Sequence, residues 1–275
     1  LLTVWFDAAG ELPDHVRRSL EERFAGFRYW YTDPVDVEAT DERWYWSENH
    51  RLIFHACEYL AGQAIPDVRF EVTGMTGDEH RRRAEGLLAE WFDEKAVDGF
   101  SEWHSDVYYA KDLAPLVSLA ELADDAALAE RAAAFCDLVL YDLALHSHRC
   151  NVGVTHGRSY MKNKSRARDQ PVFGATKLCF DATDEPWPLG DGDEADLLPL
   201  DESATLLART QRYRPPAVLR RIATSPDEVV DHEAMGIVID PSEALSDDPV
   251  RGDGLSYTDP ATVPFWWDRG ALTPW

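Results

Sequence analysis

The sequence predicts a mostly α fold, and three observations carry that expectation. Apolar residues recur at three- and four-residue spacing through most of the first 150 positions. The connections between these stretches are unequal in length, and polar side chains of chemical interest gather at their ends. With 275 residues, 45% hydrophobic and 11% aromatic including ten Trp, the composition is that of a globular core and not of a disordered chain. Stacked helical hairpins with long loops at one rim have this pattern, so the expected architecture is an α/α toroid or a partial toroid. A simple helical bundle fits nearly as well.

Helices are expected over 13–28, 47–62, 77–95, 106–123 and 125–147. The second starts behind Ser47 as N-cap and carries Leu52, Ile53, Ala56, Cys57, Tyr59 and Leu60 on one face. The third opens near Thr76-Gly77-Asp78 and carries Ala84, Leu87, Leu88, Trp91 and Phe92. The fifth, rich in Ala and Leu, ends in a His/Arg cluster that suits a helix C-terminus. After residue 150 the regularity breaks, which divides the chain into a helical-hairpin region (1–150) and a less regular continuation (151–275), read as the same domain. Short helices are expected near 203–210 and 215–223, with another over 226–234 behind Ser225-Pro226-Asp227. The tail ends on Phe265-Trp266-Trp267 without a finishing element, and the chain reads as part of a longer protein.

Charge narrows the partners. The formal charge is −24, from 51 acids and 27 bases, and only five of those bases are Lys. A strongly acidic, Lys-poor surface looks like that of proteins from salt-loving organisms, where self-repulsion is screened over a few ångströms. An ordinary acidic protein is the alternative. Phosphate contacts need Lys and Arg, so nucleic acid is not expected as a partner. No apolar run approaches the length of about eighteen residues that a spanning helix needs, so no membrane segment is expected. The first residue is Leu and no charged-then-apolar leader is present, which leaves a secreted or a cytoplasmic location open. Cys57, Cys136, Cys150 and Cys179 form no CxxC pair and say little about compartment. Local charge departs from the average. Residues 143–180 hold seven Lys/Arg (Arg149, Arg158, Lys162, Lys164, Arg166, Arg168, Lys177) against one acid, Asp169, and 181–202 hold nine acids and no base.

The densest titratable stretch is 98–112, with Glu102, His104, Asp106, Tyr108 and Tyr109 within a helix connection. Two further clusters accompany it: Trp46-Ser47-Glu48-Asn49-His50 at a helix start, and Thr155-His156-Gly157-Arg158-Ser159-Tyr160-Met161-Lys162 in the basic island. Together they supply what proton abstraction beside a carboxylate requires: an amide or guanidinium to neutralise the dianion-like intermediate, and imidazole or phenol groups to move protons. Bland roles compete. Asn49 and Glu48 suit a helix N-terminus, Glu102 and Asp106 suit a solvated loop, and the basic island suits a counter-charge patch. His50 and His55 are five apart and His146 and His148 read as a helix end, so no metal-ligand set and no cofactor are expected.

The helical-hairpin pattern, the Asn at a helix start, the Gly-Phe-Ser-x-x-His segment followed closely by Tyr, and a later Arg resemble the α/α-toroid polysaccharide lyases: the chondroitin, hyaluronate, alginate and heparinoid lyases. The resemblance covers roughly residues 45–162. A full toroid of that group has about a dozen helices, more than the five to eight found here. It implies β-elimination on a uronate-containing acidic polysaccharide, with Asn49 as neutraliser, His104 and Tyr108 or Tyr109 carrying protons, and Arg158 assisting. Trp46, Glu48, His50, Glu102, Trp103, His156, Tyr160 and Lys162 are the expected substrate contacts. The rival enzyme is a glycoside hydrolase using two of Glu48, Glu102 and Asp106. The rival from another class is a non-catalytic glycan-binding toroid fragment.

Overall fold

Amphipathic stripes become helices wherever one face finds a partner. The structure is a computed structural model that describes residues 1–34, 45, 47–184, 187 and 202–233; Trp46, most of the acidic 181–202 loop and the Phe265-Trp266-Trp267 tail lie outside the described residues. The described residues contain nine α-helices: α1 (Leu2–Ala8), α2 (Asp14–Ala25), α3 (Glu48–Ala64), α4 (Gly77–Asp98), α5 (Tyr108–Leu122), α6 (Ala126–His146), α7 (Phe173–Phe180), α8 (Glu202–Arg209) and α9 (Ala217–Ala223). A short antiparallel ladder pairs β1 (Ser147–His148) with β2 (Asn151–Val152). The fold is thus mostly helical.

Local chemistry explains the helix ends. Thr76 and Glu79 form a reciprocal capping box at the start of α4, and the Asp125 carboxylate accepts from the Leu128 N–H at the start of α6. Ser47 occupies the N-cap position of α3, but its hydroxyl makes no cap bond and instead meets the His50 ring. α3 and α4 touch through glycine: a Cβ on Gly62 would stand 2.3 Å from the Gly77 carbonyl oxygen. That contact sits where α3 ends and α4 begins. At the same end Tyr59 donates to Asp124 and Gln63 donates to the Leu122 carbonyl, which ties in the end of α5 and the start of α6. The start of α3, the end of α4, the start of α5 and the end of α6 therefore share the opposite rim.

Between the four long helices lies the main core, with Leu52, Tyr59, Leu88, Trp91, Phe92, Leu113, Leu116 and Val139 fully buried. Each such apolar side chain contributes about 1.5–3 kcal/mol by burial. A smaller cluster of Leu20, Phe24, Tyr29, Ile65 and Phe70 seats α2 against the far end of α3. The later helices cover α5 and α6, with α8 on α5 and α9 on α6.

Three helices depart from the sequence expectation, the first being α1, which forms ahead of the first expected helix. α7 forms inside the basic island, where Phe173, Ala175 and Phe180 are buried around Lys177. The helix expected over 226–234 is absent as far as the described residues reach, to 233. Ser225 does bond the Asp227 N–H, but the only bulky apolar residues that follow, Val229 and Val230, are exposed and give a helix nothing to bury.

Candidate functional site

The rim formed by the start of α3, the end of α4, the start of α5 and the end of α6 gathers most of the residues the sequence singled out. The loop between α4 and α5 is stapled to α3 by Glu48. This side chain is fully buried; it accepts from the Ser101 N–H at 2.7 Å, the Ser101 hydroxyl at 2.8 Å and the Glu102 N–H at 3.3 Å, and pairs with Lys95 at 2.6 Å. Lys95 also pairs with Glu94, which pairs with Arg51. Glu48 thus fixes the loop, and its carboxylate is spent on doing so.

From that loop Glu102 turns toward α3 and the basic island. Its carboxylate accepts from the Asn49 amide and lies 3.5 Å from Arg158 Nη1. Arg158 stacks its guanidinium over the Tyr108 ring, 4.5 Å from the centroid, and Tyr108 shares a 2.6 Å hydroxyl–hydroxyl bond with Tyr160. Asn49, Glu102, Arg158, Tyr108 and Tyr160 therefore form one continuous chain of contacts drawn from four chain segments. Asn49 and Glu102 are buried, while Arg158 is about one-third exposed at 37% of its side chain and Tyr160 faces solvent. Burial, then the bond from Tyr160, pushes the Tyr108 phenol well up. His50, bonded through Nδ1 to Ser47, is held below the usual imidazole range by burial and by the charges of Arg158 and Lys111.

His104 faces elsewhere. Its backbone is left-handed (φ 45°), an uncommon conformation for a side-chain-bearing residue, and it turns the ring away from Glu102 toward α6. There Nδ1 lies 3.0 Å from both Asp142 carboxylate oxygens, and Nε2 lies 3.0 Å from Glu233. The His146 ring stands 4.2 Å from that of His104, centroid to centroid, and its Nδ1 lies 2.8 Å from the same Asp142. Tyr109 belongs to this side: buried, it accepts from the His104 N–H at 3.1 Å, and burial followed by the Asp142 charge raises its phenol well above the usual value.

Other expected contacts are distributed between the two faces. Trp103 packs against the His104 ring, and its carbonyl accepts from the Gly157 N–H. His156 donates to the His104 carbonyl at 2.6 Å, so both help set that turn. Lys162 is exposed on the short 3-10 turn Met161–Asn163. Asp106 is wholly buried, and burial pushes its carboxyl up against the pull of the Ser159 hydroxyl, His156 and Lys164. Beyond the rim, the basic island lines a cavity of about 510 Å³ whose walls include His148, Arg149, Lys164, Arg166 and one acid, Asp184.

The sequence reading did not single out Asp142, Glu233, Lys111 or the Ser47–His50 bond. Asp142 and His146 were findable, because a spacing of four places both side chains on one face of a helix. Glu233 was not, since nothing local ties it to residues 87 or more positions earlier. No family model, no curated protein and no solved structure matches the chain.

Proposed function

We propose that this protein is a carbohydrate-active lyase that cleaves a uronate-containing acidic polysaccharide by β-elimination, on a helical-hairpin scaffold of the α/α-toroid kind. The observation that carries the reading is the position of Arg158, which is joined to Glu102 on one side and stacked on Tyr108 on the other. Arg158 spends one guanidinium nitrogen on Glu102 and is partly exposed, so a substrate carboxylate can pair with the remainder. Asn49 acts through Glu102, whose carboxylate it orients.

In this mechanism the uronate carboxylate docks on Arg158. A base then removes the proton on the carbon beside the carboxylate. Those electrons form the new carbon–carbon double bond, and the bond to the leaving glycosidic oxygen breaks. His50 is the base favoured by its surroundings, because burial and the neighbouring cations keep its imidazole neutral and able to accept a proton. His104 is not given that role, since both of its ring nitrogens face carboxylates. Tyr108, held protonated by burial, donates to the leaving oxygen, and Tyr160 lies within reach to resupply it. Arg158 stabilises the charge that builds on the carboxylate. The basic cavity offers further contacts for a polyanion on an otherwise acidic protein.

The test is a panel of uronate polymers in high salt, followed by ultraviolet absorbance of the unsaturated uronyl end. Tyr108→Phe and Arg158→Met should each lower turnover by about 100-fold or more. Absence of an absorbing product from every polymer, or undiminished turnover in Tyr108→Phe, overturns the reading. Reducing ends without absorbance would instead favour a hydrolase using Glu102 and Asp106.

A further inference from the structure

On the far side of the 99–107 loop, away from Arg158, two imidazoles and three carboxylates meet. Asp142 and His146 project from the last turn of α6, His104 arrives from the left-handed turn of the loop, and Glu233 comes from the extended segment after α9. His104, Asp142, His146 and Glu233 each offer one donor atom, and all four atoms lie within 4.8 Å of one another. We infer that these four side chains form a binding site for a divalent transition-metal ion of the zinc class, which clasps the loop and the 225–233 segment onto α6. This inference does not rest on the lyase reading.

Three arguments support the assignment. The donor set is two imidazole nitrogens and two carboxylates; imidazole favours zinc, cobalt, nickel or copper, whereas calcium and magnesium prefer oxygen alone. The spacing is near what such an ion needs: tetrahedral ligands at 2.0–2.2 Å stand about 3.4 Å apart, and one donor atom from each residue lies within 4.8 Å of the others, so the set reaches that geometry by side-chain adjustments of about an ångström. The charge is also unbalanced. Asp142 and Glu233 are joined by Asp231, 3.9 Å from His146 Nε2, and among the described residues no Lys or Arg pairs with any of the three acids. A divalent cation supplies the missing positive charge.

Tyr109 and Asp231 complete the surroundings. Tyr109 fixes the His104 backbone and approaches Asp142, while Asp231 faces the second imidazole; outer partners of this kind orient metal ligands. Four protein ligands, running from buried His104 to exposed Glu233, fill a tetrahedral shell and describe a structural centre, not one with an open position for chemistry.

The experiment uses the full chain, stripped with a chelator and kept in high salt. Cobalt(II) is titrated by its visible absorption, and zinc affinity is measured by competition with a chromophoric chelator. One ion per chain should bind, and zinc should raise the unfolding temperature. Loss of a ligand should weaken zinc binding by about 100-fold or more, since even outer partners cost 10–100-fold. His146→Gln and Glu233→Gln should show that loss, while His148→Gln, on the exposed end of β1, should leave binding unchanged. Glu233 lies outside the packed core, so Glu233→Gln keeps the test decisive if His146→Gln fails to fold. The proposal is overturned if saturation at one ion per chain is not reached, or if Glu233→Gln binds zinc as tightly as the parent. It is equally overturned if the cobalt complex shows thiolate charge-transfer bands, which would place the ion on cysteine.

Discussion

Replacing Lys95 with Met should destabilise the protein by about 3 kcal/mol, and the number follows from the loop staple. Lys95 is buried to 2% exposure, and its ammonium lies 2.6 Å from Glu48 and 3.2 Å from Glu94. Removing one partner from a buried ion pair costs about 3–5 kcal/mol, because a charge is left without compensation. The lower end applies here. Glu48 keeps two N–H donors and the Ser101 hydroxyl, and Glu94 keeps Arg51. For a chain of this size, about 2–4 °C per kcal/mol gives a fall of about 6–12 °C in unfolding temperature. Thermal and urea unfolding should both be run in low and in molar salt. Salt screens exposed pairs, but neither Lys95 nor Glu48 meets solvent, so the loss should persist at both ionic strengths. The double variant with Glu48→Gln should be markedly less destabilised than the sum of the two single variants. A loss below about 1 kcal/mol for Lys95→Met, or strict additivity in the double variant, would refute the reasoning.

Two further substitutions probe the helix pair and the buried imidazole. Gly62→Ala should lose about 1–3 kcal/mol by urea unfolding, since its Cβ meets backbone at 2.3 Å, whereas Gly86→Ala, with nothing within 4 Å, should gain up to about 1 kcal/mol from helix propensity; a stabilised Gly62→Ala would mean the helices can separate at no cost. His55 is fully buried against Trp30, and burial, then Arg51 and Arg83, hold it well below its ordinary value of 6.5. The unfolded chain accepts a proton near that value which the fold refuses, so stability present above about pH 6.5 is lost as the pH falls below it. His55→Leu should flatten the dependence of the urea midpoint on pH between 8 and 5, and an unchanged slope would remove His55 as its cause.

Seven helices were legible in sequence because each carries an apolar stripe over two turns or more, and stripes of that length are local information. The ends read well where the cap is a side chain acting on its own helix, as at Thr76 and Asp125. Ser47 stands at the expected N-cap position, but its hydroxyl has a competing partner in His50, and sequence does not rank the two. α7 was hidden by Lys177 and by the surrounding charge, although its apolar residues are buried against α6 and α9. The site was legible as an inventory and not as an arrangement. Residues 98–112 stood out for density, but which side chain faces which partner depends on one backbone reversal at His104, and no spacing rule reports a positive φ. Glu48 shows the same limit: its type and position suited a substrate contact, and its three donors plus Lys95 spend it on the loop.

That reversal also explains how one short loop serves two separate clusters. In an extended chain Glu102 and His104, two apart, would project to the same side. The left-handed residue sends them to opposite sides, Glu102 to Asn49 and Arg158, His104 to Asp142 and Glu233. A conformation of this kind costs on the order of 1–3 kcal/mol and persists only where neighbours over-determine it. The neighbours here are specific: Tyr109 accepts from the His104 N–H, His156 donates to its carbonyl, and Glu48 anchors the two residues before Trp103. The side chain of His104 is the remaining anchor, and it ends among the carboxylates. The two clusters thus meet at residues 102–104 of one loop, each holding a different side chain of it.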